Sequence, residues 1–200
     1  MAVVIRLSKK LVLASSSPRR IQLLRQLGLE VEVSPGTTDE TFDPGTTPEE
    51  NVRRLALAKA TECANSYDDA VIVGADTTVV LDGEVMGKPL DVDEAKVMLR
   101  ALSERTHVVF TGVALVDQPS RRNLIASEAT EVTFRKLSEK EIEGYVSSGS
   151  PFDKAGGYGI QDDYGAVFVT RVNGCFYNVM GFPVARFYSM LEAGGFIENS

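Results

Sequence analysis

Leu11-Val12-Leu13-Ala14-Ser15-Ser16-Ser17-Pro18-Arg19-Arg20 joins a short apolar run to a turn and then to a helical pattern carried by Ile21, Leu23, Leu24 and Leu27. A buried strand that passes directly into a helix is the unit from which α/β folds are built. Pro18 suits the first helical position, where its missing N–H is not needed, and Ser16 or Ser17 can cap the helix from just outside. Gly28 supplies a stop. The helix start gathers unpaired N–H groups, the positive end of the macrodipole and the guanidinium groups of Arg19 and Arg20. Two readings are open at this stretch: a capped helix with solvated arginines, or an anion site of the phosphate type.

Working outward, Leu29 to Ser34 alternates apolar and charged residues as a half-buried strand does. A Thr/Gly/Pro-rich loop carrying Asp39 and Glu40 follows. Thr47-Pro48-Glu49-Glu50 then predicts a capped helix running to about Ala64. Val71-Ile72-Val73 predicts a strand that ends in Gly74-Ala75-Asp76-Thr77-Thr78, with strand character resuming over Val79 to Leu81. A helix is expected over Asp91 to Leu102, with Ala95, Val97, Met98 and Leu102 on its apolar side. Thr106 to Val116 and Leu124 to Phe134 are consecutive strands with no helix between, so the sheet must be mixed. Ser138 opens a further helix through Ile142 and Tyr145 that Gly149 ends. A strand over Ala166 to Val172, a final helix over Phe182 to Leu191 and a loosely ordered tail from Gly194 to Ser200 complete the expectation. It amounts to one domain over residues 1–200, an α/β fold with a mixed, twisted sheet flanked by helices.

At 200 residues and 44% hydrophobic, the chain can bury one sizeable core, alone or with a lobe appended. A net charge of −7 argues against a nucleic-acid-coating surface, so any anion site is a local exception. Cys63 and Cys175 lack neighbours at metal-ligand spacing and read as reduced thiols. No apolar stretch has the length of a signal peptide or membrane span, which points to a cytoplasmic protein without a membrane partner. The single histidine, His107, excludes a multi-histidine metal cluster and reads as a structural strand residue. Neither GxxxxGK[ST], nor GxGxxG after a strand, nor a GxSxG elbow is present.

Asp76, directly after an apolar strand, is placed by this reading at the carboxyl edge of the sheet, either capping a turn or serving a site. If Asp76 and Glu40 face phosphate together, their simplest joint role is to hold Mg²⁺ or Mn²⁺. Lys59 lies on the helix after the Glu40 loop, and Lys88 sits in the restrained Gly87-Lys88-Pro89 turn. Ser150 to Gln161 packs three glycines, the Asp153-Lys154 pair and the Gln161 amide into one stretch, where backbone can approach a ligand closely.

Taken together, these motifs resemble the Maf family of nucleoside triphosphate pyrophosphatases. The likeness covers about Leu11 to Leu191 and rests on Leu13 to Arg20, Gly74-Ala75-Asp76-Thr77, Gly87-Lys88-Pro89, Thr106-His107 through Thr111-Gly112, and Asp153 to Gln161. It implies an inosine-triphosphatase-like fold and hydrolysis of a nucleoside triphosphate to its monophosphate and pyrophosphate. The Gly157-Tyr158-Gly159-Ile160-Gln161 form resembles the branch acting on dTTP and UTP. By the same resemblance Asp76 is the catalytic acid, as base, metal ligand or both, and Glu40 shares a divalent ion with it. Arg19, Thr77 and Gln161 match positions tied to substrate choice, while Ser15, Arg20, Lys59, Lys88 and Lys154 match further substrate-binding positions. The family also implies a homodimer, and it is associated with septum formation, which leaves a nucleotide-binding regulator of cell division as the alternative. Asn178 to Pro183 departs slightly from the family's apolar pattern.

Overall fold

The computed structural model describes residues 5–161 and 164–198. Leu11–Leu13 forms β1 and Pro18–Gln26 forms α1, with Pro18 at the first helical position. Helix α1 closes as Gly28 requires. At φ 75° its N–H donates to the Arg25 carbonyl at 2.9 Å, and the Leu29 N–H returns to Leu24 at 3.3 Å, the paired bonds of a left-handed helix end. Val31–Val33 is β2, and Pro48–Ala64 is α2. The expected cap on α2 is present in full: Thr47 accepts from the Glu50 N–H while the Glu50 carboxylate accepts from the Thr47 N–H.

Ala70–Leu81 is β3, a single strand of 12 residues. The predicted break at Gly74 to Thr78 does not occur, so Asp76 lies in mid-strand and not at the sheet's carboxyl edge. Glu84–Met86 is β4, Val92–Leu102 is α3, Thr106–Gln118 is β5, Asn123–Phe134 is β6 and Glu139–Ser147 is α4. Val97 on α3 is 60% exposed while Leu99 is fully buried, which corrects the expected apolar side. Residues 164–168 coil into a 3-10 turn, so β7 is shortened to Val169–Asn173. A short helix not foreseen, α5 over Phe176–Val179, precedes α6 over Val184–Gly194. Residues 194–198 pack: Phe196 is buried, and Leu7 bridges to Ile197. That overturns the loose tail as far as residue 198, and Asn199 and Ser200 lie outside the described residues.

The sheet runs β2-β1-β3-β5-β6-β7, with β4 on β3. Strand β1 pairs parallel with β2 and with β3, whereas β3–β4 and β6–β7 are antiparallel, so the sheet is mixed as the consecutive strands required. The chain forms two compact units, residues 1–76, 111–128 and 181–200, and residues 77–110 and 129–180. In the first unit, Val12 of β1, Ala14 just after it, Ile72 of β3, and Ala114 and Val116 of β5 cluster with Ala56, Ala60, Cys63 and Ala64 of α2. The residues on the helix side are small, which lets α2 lie close to the strands. The second unit has a separate, aromatic core that includes Leu99 and Leu102 of α3, Ile142 and Tyr145 of α4, and Phe134, Tyr158 and Phe168.

His107 belongs to that second core. It is 1% exposed, and burial alone pulls its pKa from 6.5 down to about 4. The unfolded chain therefore binds a proton, as pH falls below about 6.5, that the folded chain refuses until about 4. Stability contributed by the neutral ring is thus lost progressively across that window, by about 3 kcal/mol in all. Urea unfolding at pH 7 and pH 4.5 is expected to show this loss in the wild type and a distinctly shallower one in His107→Gln.

Candidate active site

Helix α2 and strand β3 meet without a side chain between them at Gly74, where a Cβ would lie 2.0 Å from the Ala56 carbonyl oxygen. Because side chains alternate along a strand, residue 76 faces the same way as residue 74, toward the helix. Lys59 is three residues beyond Ala56 on α2, and its ammonium reaches Asp76 Oδ1 at 2.7 Å and Glu40 Oε1 at 2.6 Å. The cation standing between the two carboxylates is therefore a lysine of the chain itself. The Asp76 side chain is 9% exposed and that of Glu40 55%. Burial raises the Asp76 pKa above the ordinary carboxylate value, opposed chiefly by the Lys59 charge and hydrogen bond and then by Arg20.

Glu40 owes its place to polar side chains along α2. Glu62 accepts from the Thr37 N–H at 2.9 Å and from the Thr37 and Thr38 hydroxyls. Arg54 donates to the Thr41 carbonyl at 2.7 Å, and buried Asn51 both accepts from the Asp43 N–H and donates to its carbonyl at 2.8 Å. Asn51, Arg54 and Glu62 were not singled out in the sequence. Their signal is a polar stripe at helical spacing, which reads equally well as a solvated face.

The loop between β1 and α1 is tied to the same place. Ser17 is the N-cap residue but makes no side-chain cap bond; its N–H donates instead to Ser15 Oγ at 3.2 Å. The Arg20 guanidinium donates to Ser15 Oγ at 3.1 Å, to the Ala75 carbonyl at 2.9 Å and to the Gly181 carbonyl at 2.9 Å. Arg20 thus joins the serine loop to the residue next to Asp76. Arg19 precedes it on α1, half-buried. Ser15, Arg20, Glu40, Lys59 and Asp76 are all held in the first unit by these bonds.

Thr77, Lys88, Lys154 and Gln161 belong to the second unit. There the Gly87-Lys88-Pro89 turn meets the glycine-rich loop, as the Gly156 N–H donates to the Gly87 carbonyl at 2.9 Å. Gly156 has φ 67° and a Cβ there would lie 3.0 Å from Val79, a crowded left-handed position that only glycine takes without strain. Lys88 is exposed, and Thr77 and Gln161 are half-buried. The Lys154 ammonium donates to the Ser150 carbonyl at 2.6 Å, the Ser150 hydroxyl at 3.1 Å and Asp153 Oδ1 at 2.8 Å, so it braces the loop that carries it.

A family model described as Maf-like protein matches residues 10–194. The dTTP/UTP pyrophosphatase of Caldicellulosiruptor saccharolyticus is 44% identical over 192 residues, covering 94% of this chain and 96% of that protein. The dTTP/UTP pyrophosphatase of Pelotomaculum thermopropionicum is 47% identical, covering 94% of this chain and 98% of its own length. The solved structure of the Staphylococcus aureus Ham1 protein aligns over 63% of this chain and 72% of its own, at 16% identity and a TM-score of 0.44.

Proposed function

We propose, since this chain belongs to the Maf-like protein family, that it is a pyrophosphatase converting dTTP and UTP to their monophosphates and pyrophosphate. The observation that carries the reading is the Lys59 ammonium held between Asp76 and Glu40, beside a serine loop that Arg20 ties to Ala75. Asp76 takes a proton from water as the water oxygen bonds to the α-phosphorus. The bridging bond from that phosphorus to the β-phosphate oxygen breaks, and the electron pair leaves with pyrophosphate. Lys59 favours the ionised form of a carboxyl that burial would otherwise protonate, and its charge offsets the charge that departs with pyrophosphate. Ser15, Arg19 and the start of α1 take phosphate oxygens, with Arg20 holding the serine loop and Lys154 bracing the loop that leads to Gln161. Gln161 offers both a donor and an acceptor, which suits the O4 and N3–H edge shared by uracil and thymine, and Thr77 and Arg19 complete the choice of substrate.

Asp76 and Glu40 are hard oxygen donors of the kind that hold Mg²⁺ or Mn²⁺ when substrate phosphates supply the remaining ligands. Among the described residues no three His, Cys, Asp or Glu gather to bind a metal unaided. When bound, such an ion polarises phosphoryl oxygens and lowers the pKa of a coordinated water. A cytoplasmic location accords with two free cysteines and a nucleotide substrate. A homodimer belongs to the same reading and is checked by sedimentation equilibrium.

Pyrophosphate release from a panel of ribo- and deoxynucleoside triphosphates tests the reading, with Mg²⁺, with Mn²⁺ and with EDTA. Turnover of dTTP and UTP well above CTP, ATP and GTP is expected, and EDTA is expected to suppress it by at least about tenfold. Absence of turnover on every nucleotide overturns the assignment.

A further inference from the structure

We propose that His107 and Tyr158 form a positioning pair that sets the register of the Lys154 to Gln161 loop, so that base selectivity is governed from a buried contact behind that loop. The inference rests on the pyrimidine-reading role given to Gln161 above. Tyr158 stands between Gly157 and Gly159, which contribute no side chain to hold the loop, and it is 5% exposed. Its hydroxyl is hydrogen-bonded to His107 Nε2 at 2.7 Å. The two rings and Phe134 meet edge to face, with centroids 5.1 Å apart for His107–Phe134, 5.3 Å for His107–Tyr158 and 4.7 Å for Phe134–Tyr158.

Shape alone does not call for this polar pair, since phenylalanine in place of Tyr158 would fill the same aromatic core. The pair also carries a cost. His107 Nδ1 is buried with no hydrogen-bond partner, and an orphaned buried polar atom destabilises a fold. What the hydrogen bond adds is direction: aromatic edges tolerate sliding and rotation, whereas one bond from a strand residue fixes how deeply Tyr158 inserts. Gln161 lies three residues along the same loop. A second restraint acts beside the first, because the Gly159 N–H donates to the Tyr145 hydroxyl at 3.2 Å. With Tyr158 released, that bond and the Gly156 to Gly87 bond still hold the backbone, so the loop is expected to loosen without unfolding.

Tyr158→Phe removes the hydroxyl and keeps the ring. Its KM for UTP is expected to rise about tenfold with kcat within about twofold of wild type, and the UTP-to-CTP ratio of kcat/KM to fall about tenfold. Amide hydrogen exchange over residues 155–161 is expected to quicken, with the remainder of the second unit unchanged. His107→Gln, which retains a hydrogen-bonding group on the β5 side, is expected to recover part of the base ratio that His107→Leu loses. A lowered Tm with KM, base ratio and loop exchange all as in wild type would reduce the pair to a packing role and overturn the proposal. If the wild type turns over no nucleotide, the pyrophosphatase reading fails by itself. Loop exchange then decides the pair: quickened exchange upholds the anchoring, and unchanged exchange overturns it.

Discussion

Asp76→Asn is expected to lower kcat for UTP and dTTP by at least about 10³-fold while the protein stays folded. Asparagine has nearly the shape of aspartate and can still accept from Lys59, so the site keeps its geometry. It cannot take a proton from water. The stability side of the prediction follows from the environment. Burial opposes the Asp76 charge, and the substitution removes a desolvated carboxylate whose partner Lys59 retains Glu40 at 2.6 Å. A melting temperature within a few degrees of wild type is therefore expected. Nucleotide affinity, measured by calorimetry without turnover, should fall far less than kcat, because the proposed reading gives the phosphate contacts to Ser15, Arg19 and the start of α1. A variant that keeps kcat within tenfold of wild type would show that Asp76 does not carry the proton and would move the base to another group.

The elements legible in the sequence were those whose ends carry local chemistry. Pro18 and Gly28 bracket α1, and Thr47 with Glu50 starts α2, because caps and left-handed stops act over a few residues and need no tertiary partner. Where the reading failed, a distant element decided the outcome. Gly74 reads as a strand breaker on its own propensity, yet it is where the α2 backbone touches β3, and the strand continues through it. Val97 and Leu99 are equally apolar, and only the side on which α3 meets its core separates them. The tail reads as loose because its pairing with residues 6–8 spans nearly the whole chain. Within the site, Glu40, Lys59 and Asp76 were picked out as residue types and through the family resemblance; their contact was not visible. No spacing rule connects a loop, a helix and a strand, and a lysine stands between the two acids where residue types alone suggest a metal ion.

Gly74→Ala and Gly112→Ala are each expected to cost about 3 kcal/mol or more. At Gly74 the added Cβ would lie 2.0 Å from the Ala56 carbonyl oxygen, and at Gly112 on β5 it would lie 2.2 Å from that of Val52. Both obstacles are backbone of α2, one turn apart, and a helix backbone cannot step aside as a flexible side chain can. The helix must rise from the sheet, and it carries Lys59 with it. Activity is accordingly expected to fall further than the folded fraction does, because the 2.7 Å contact to Asp76 is lost in molecules that remain folded. Gly144→Ala provides the contrast. That glycine lies inside α4 with open space where the Cβ would go and an ordinary helical φ, so alanine should stabilise by about 0.5–1 kcal/mol. Urea unfolding of the three variants, with UTP turnover measured at the same folded fraction, separates the two ideas. Equal, small effects at all three would mean that α2 does not rest on its strands through bare backbone. Loss at Gly74 and Gly112 with gain at Gly144 would show that two absent side chains set the distance across which Lys59 meets Asp76.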